Sequence, residues 1–91
     1  MYRLWGKIMK NNDIVEDHVF ELENSNMTSD EKLKQGLEAL CYHFDLQRPM
    51  WLSDNSQGMA QIGKTQFLGH HFIESINFDY FEIEIIEDTD Y

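Results

Sequence analysis

Residues 81–85 read Phe-Glu-Ile-Glu-Ile, and this alternation constrains the fold more than any other stretch of the chain. Successive side chains of a strand point to opposite faces, so one side of this strand is wholly apolar and the other carries carboxylates. Such a strand needs an apolar layer against one face and water against the other, as in an antiparallel sheet covered on one side. It lies within a segment, 74–91, that holds seven acids (Glu74, Asp79, Glu82, Glu84, Glu87, Asp88, Asp90) and no Lys or Arg. The expected element is a central or closing strand over 76–86. If it continued to the end, Glu82, Glu84, Asp88 and Asp90 would share one side.

The N-terminal pattern supplies partners for that strand. Residues 2–10 and 13–22 predict a β-hairpin with Asn11-Asn12 as a two-residue turn, because Asn tolerates positive φ better than most residues. This turn sets Ile8 opposite Val15, Leu4 opposite Val19, Lys7 opposite Glu16 and Trp5 opposite His18. One face then carries Tyr2, Leu4, Ile8, Val15 and Val19. Shifting the turn by one residue would put Ile8 opposite Asp17, a worse match.

A helix follows over about 29–44. Thr28 is its N-cap, Glu31 the capping-box partner three residues on, and Asp30 and Glu31 suit the positive end of the helix dipole. Leu33, Leu37, Leu40, Cys41 and Phe44 recur at helical spacing and form one apolar stripe. Pro49 forbids much continuation. Gly36 weakens the helix interior by up to ~1 kcal/mol relative to Ala, which a close approach to the sheet would explain. Residues 49–52 read as a short extended piece and 53–64 as a polar loop with at most a turn of helix. Residues 65–68 read as a brief strand and 69–75 as a helical turn. The sum is a single small α+β domain with an antiparallel or mixed sheet and the helix packed on one face.

Composition narrows the function classes. Seven basic residues against seventeen acidic ones give a net charge of −10. That charge repels phosphate backbones and anionic membrane surfaces, so no direct nucleic-acid or membrane binding is expected. Cys41 is the single cysteine, the N-terminus lacks the apolar run of a signal peptide, and no stretch approaches a membrane span, so the cytoplasm is the expected compartment.

Several runs resemble a known group. Pro49-Met50-Trp51-Leu52, Lys64-Thr65-Gln66-Phe67 and Phe72-Ile73-Glu74-Ser75-Ile76-Asn77-Phe78-Asp79-Tyr80, with the opening Tyr2-Arg3-Leu4-Trp5-Gly6-Lys7, resemble short acidic hypothetical proteins of anaerobic Gram-positive bacteria. The resemblance spans nearly the whole chain and implies a stand-alone small bacterial protein. It brings no activity, cofactor or substrate, so no residue's role is carried over.

Candidate chemistry is sparse. Cys41 and His43 sit about 200° apart around a helix and cannot chelate together, and adjacent His70-His71 is not a metal-pair spacing. No metal and no cofactor are expected. Glu82 and Glu84, roughly 6.7 Å apart on one strand face, could in principle flank a scissile bond, but alternating Glu and Ile is the ordinary form of a solvated sheet face. No catalytic residue is expected. Two binding readings remain. Trp5, Met9 and Ile14 fall on the hairpin face away from the helix, where they would need Trp51 and the 53–64 loop, or a second subunit, to cover them. This makes a non-enzymatic accessory or protein-interaction module, acting on a protein partner or as a homodimer, the first expectation. The alternative is a small-molecule-binding protein or enzyme with a pocket between the helix and residues 49–72, lined by Tyr42, His43, Trp51, His70 and His71.

Overall fold

The computed structural model describes residues 1–23 and 26–89. β1 (Tyr2–Lys10) and β2 (Asp13–Leu22) form the hairpin. α1 (Ser29–His43), α2 (Ser53–Ile62), β3 (Lys64–Phe67), a 3-10 turn (Gly69–His71) and β4 (Tyr80–Asp88) follow. The strands make one antiparallel sheet in the order β2-β1-β4-β3. This is the α+β architecture that the patterns predict. The alternating strand begins at Tyr80 and is central, hydrogen-bonded to β1 on one side and β3 on the other. Phe81 and Ile83 are fully buried beneath the helices.

The hairpin turns at Asn11 (φ 54°) and Asn12 (φ 66°), the left-handed pair a two-residue turn requires. Its first pairs, Lys10 with Asp13 and Met9 with Ile14, keep the expected register. A bulge then shifts the rest by one residue: Ile8 faces Glu16, Lys7 faces Asp17, Trp5 faces Val19 and Leu4 faces Phe20. The expected pairs Ile8–Val15, Leu4–Val19, Lys7–Glu16 and Trp5–His18 are therefore not formed. The bulge leaves Val15 57% exposed and turns Phe20 and Leu22 onto the core face, where both pack against the buried cluster. Burying a large side chain contributes about 1.5–3 kcal/mol, so exchanging two valines, Val15 and Val19, for the larger phenylalanine and leucine favours the bulged register.

α1 is capped as its sequence predicts. The Thr28 hydroxyl oxygen accepts from the Glu31 N–H at 3.2 Å, and the hydroxyl donates to the Glu31 carboxylate. Leu40, Cys41 and Phe44 are buried, and Leu33 and Leu37 pack at the margin. Gly36 marks the closest approach to the sheet. A Cβ there would lie 2.8 Å from Leu4 Cδ2 and 3.0 Å from Phe20 Cδ2.

The segment expected to be a loop over 53–64 is a ten-residue helix, α2. Asn55, fully buried, organises it. Its Oδ1 accepts from the Leu52 N–H at 2.8 Å at the helix start. Its Nδ2 donates to the Thr65 hydroxyl at 2.9 Å and to the Gln66 carbonyl at 3.1 Å on β3. Gly63 ends the helix with φ 70°, a left-handed cap that lets the chain reverse directly into β3. α2 thus packs beside α1 on the same sheet face, with Met59 against the core. It does not cover Trp5, Met9 and Ile14, contrary to the expectation for the 53–64 loop. Asn55→Ala would strand three polar groups at once. The expected loss is about 2–4 kcal/mol, read from urea unfolding. A loss under about 1 kcal/mol would mean that Asn55 does not pin α2 to β3.

Candidate functional site

The face of the sheet without helices carries Arg3, Trp5, Lys7 and Met9 from β1 beside Glu82 and Glu84 from β4. Trp5, Lys7, Gln66, Glu82 and Glu84 are linked by hydrogen bonds, ion pairs and a cation–π contact. Lys7 Nζ lies 2.6 Å from a Glu82 oxygen, 3.3 Å from a Glu84 oxygen and 3.9 Å from the Trp5 ring centroid. Trp5 Nε1 donates to Asp17 at 2.9 Å, and Gln66 Nε2 donates to Glu82 at 3.1 Å. Burial pushes the Glu82 carboxyl up, but the hydrogen bonds from Lys7 and Gln66 and the charges of Lys7 and Lys64 outweigh it and hold the group below its ordinary value. Burial likewise pushes Lys7 down, and its bonds to Glu82 and Glu84 outweigh that and raise it. A general acid at neutral pH needs a raised carboxyl, so Glu82 is tuned in the wrong direction for that work.

The carboxylates do not share one side. A second irregularity, between the pairs Leu4–Ile85 and Arg3–Glu87, makes Ile86 an extra residue. Past it, Asp88 lies opposite Tyr2, a residue of the helix-covered face, and pairs with Lys32 of α1 at 3.3 Å. The even spacing expected for Glu82, Glu84 and Asp88 is broken by this bulge, and Asp90 lies outside the described residues.

A cleft of about 660 Å³ opens between α1 and α2. Leu33 and Leu37 form one wall, Met59 and Ala60 the other, and Tyr2 and Ile85 the floor, with Trp51 also lining it. Trp51 Nε1 is already engaged, donating to the Ser56 hydroxyl at 2.8 Å. The polar rim comprises Ser29, Asp30, Lys34 and Asp88. Tyr2 is only 2% exposed, and its hydroxyl has no hydrogen-bond partner among the described residues. Burial, with the Asp88 charge in second place, pushes that hydroxyl up to about 12, so it stays protonated at neutral pH. The volume falls within the range typical of small-ligand sites.

Of the rings expected in a pocket, Trp51 lines this cleft. Tyr42 is 90% exposed on the far side of α1. His43 stacks on His18 with centroids 3.7 Å apart. His70 and His71 lie on the 3-10 turn after β3. Cys41 is buried in the core, where burial pushes its thiol up to about 11 against the pull of Arg48. The cleft walls Leu33, Leu37 and Met59 escaped sequence reasoning because a groove lined by apolar helix residues reads as a core stripe. The second wall could be recognised only once α2 was recognised.

The fold also gathers Asp54, His70 and His71, with one ligand atom from each within 4.8 Å of the others. The proton arrangement on His71 argues against a metal there. His71 Nδ1 accepts from the Leu68 N–H at 3.0 Å, so in the neutral ring the proton sits on Nε2, which faces Asp54 Oδ2 at 3.5 Å. A metal on Nε2 would have to strip that proton from a ring whose other nitrogen already lacks one. Zinc at a hundredfold excess over a site's Kd would add about 2.7 kcal/mol. The expected result is no shift in thermal midpoint on adding zinc, and a rise of that size would restore the metal reading. Among the described residues, no helix is long and apolar enough to cross a membrane. No family model, curated protein or solved structure matches the chain, so its own geometry carries the functional reading.

Proposed function

We propose that the chain is a small cytoplasmic binding protein, not an enzyme, whose working site is the cleft between α1 and α2. The carrying observation is the cleft itself: an apolar trough of about 660 Å³ lined in part by Tyr2, whose hydroxyl is buried, in a chain of 91 residues. Such a trough holds an apolar ligand by removing its surface from water, at about 25 cal/mol per Å² of area buried. Catalysis finds no support in the carboxylates, since Glu82 and Glu84 are both engaged by Lys7. The test uses Nile red, an uncharged apolar dye. The wild type should raise its fluorescence with saturation at one site, and Ala60→Trp, which fills the mouth of the cleft, should abolish most of that rise. Equal enhancement in both proteins, or none in the wild type, would end this reading.

A second reading is a protein-interaction module acting through the other sheet face. It rests on Trp5 and Met9, partly exposed with no helix over them, and on exposed Ile14. It ranks second because the polar groups around Trp5 are already linked to one another. Homodimerisation through that face would appear in sedimentation equilibrium as a dimer that Trp5→Lys dissociates. A monomer at every concentration would remove the homodimer.

A further inference from the structure

The cleft's charges favour one class of ligand, an inference that rests on the binding reading above. The chain carries −10 overall, yet among the described residues the charges lining this trough, Asp30, Lys34 and Asp88, each have an opposite charge nearby. Asp88 is compensated by Lys32 at 3.3 Å, and Asp30 and Lys34 stand one helical turn apart on α1. A cationic head group there would meet Lys34, and an anionic one would meet the carboxylates of Asp30 and Asp88. Neither recovers the cost of leaving water. Among the described residues, the lining offers no other charge.

Tyr2 lines the cleft, and its buried hydroxyl has no hydrogen-bond partner among the described residues. It is a donor at neutral pH, and an unmet buried donor gains most from an acceptor supplied by a ligand. The hydroxyl is covered in the free molecule, with the Lys32 Nζ 5.8 Å from the Tyr2 ring centroid, so a ligand reaches it only by displacing a neighbour. The lining residues on α1 run from Ser29 to Leu37, about 12 Å of helix. That length suits a medium-length aliphatic chain or a compact ring system.

We infer that the α1–α2 cleft binds an uncharged, largely apolar molecule bearing a hydrogen-bond-accepting oxygen (an alcohol, ketone or amide), which takes the hydrogen bond of the Tyr2 hydroxyl. Trp51 closes over the apolar body, and Asp30, Lys34 and the Lys32–Asp88 pair discriminate against charged heads.

The test is an amide-NMR titration of the full chain with n-octanol, n-octanoate and n-octylammonium, on the wild type and on Tyr2→Phe. Octanol should shift the amides of Leu33, Leu37, Met59 and Ile85 with saturation, and bind more tightly than either charged probe. Tyr2→Phe should keep the fold and raise the thermal midpoint, because it removes an unmet buried hydroxyl. It should also weaken octanol about tenfold, the loss of one hydrogen bond. Tighter binding of either charged probe would overturn the ligand class while leaving the cleft as a site. So would an octanol affinity unchanged in Tyr2→Phe. If no probe moves the cleft amides, the binding reading fails and the ligand class falls with it.

Discussion

Phe81→Ala is expected to leave the chain at the edge of unfolding at 25 °C. Phe81 is fully buried in the central strand β4, paired with Ile8 of β1 on one side and Phe67 of β3 on the other. Its ring meets Phe44 of α1 edge-on at 5.9 Å and Phe67 at 5.8 Å. Removing it opens a cavity where the helix, the hairpin and the β3 edge converge, so none of them can close the gap without leaving another contact. Phe→Ala in a core costs about 3–5 kcal/mol, against a total near 5–14 kcal/mol for a chain of this length. Urea unfolding followed by near-ultraviolet circular dichroism would measure it. A loss below about 1.5 kcal/mol would mean that the aromatic cluster is not the centre of the core.

Lys7→Ala is the second large effect, and it arises on the opposite face. Lys7 and Glu82 are each 8% exposed although no helix lies over them, because their side chains lie flat among Trp5, Gln66 and Glu84. Removing Lys7 leaves Glu82 and Glu84 without their shared cation. Breaking a buried pair from one side costs about 3–5 kcal/mol. Here water can enter from the open face, so about 2 kcal/mol is expected. The double variant Lys7→Met with Glu82→Leu should recover most of it, since no charge is then left unpaired. The pH dependence follows from the shifts. Glu82 is held below its ordinary value near 4.5, so its contribution is complete above that pH and disappears as pH falls through the depressed value. Lys7 is raised above its ordinary 10.5, so its contribution is complete below that pH and disappears as pH climbs through the raised value. Wild type and Lys7→Ala should therefore differ most across the neutral range and converge in acid. A constant difference down to low pH would contradict the ion pair.

The elements that carry a strong local signal were legible in the sequence. The Asn11-Asn12 turn, the Thr28 cap, the α1 stripe and the alternation at 81–85 each rest on a rule that acts within a few residues. The bulges at Val15 and Ile86 were not legible, because they are settled across strands by which side chains reach the core. Phe20 and Leu22 gain burial only when the helix is already in place. α2 was hidden for another reason. Its sequence, Ser-Asp-Asn-Ser-Gln-Gly-Met-Ala-Gln-Ile, carries little apolar periodicity, and its start is organised by Asn55 acting on a strand ten residues away. Gly63, placed directly after Ile62, was the local clue to its end. Without α2 the cleft had only one wall, so Trp51 could be assigned to a pocket while the residues facing it could not.

On the proposed reading the working site lies between two helices that share one sheet face, and the charged face is not part of it. Hydrogen-exchange mass spectrometry with and without saturating n-octanol tests this most directly. Slowed exchange confined to segments 29–37 and 51–60, with β2 and the outer face of β1 unchanged, is the expected result. Protection concentrated in the hairpin around Trp5, with α1 and α2 unaltered, would contradict it.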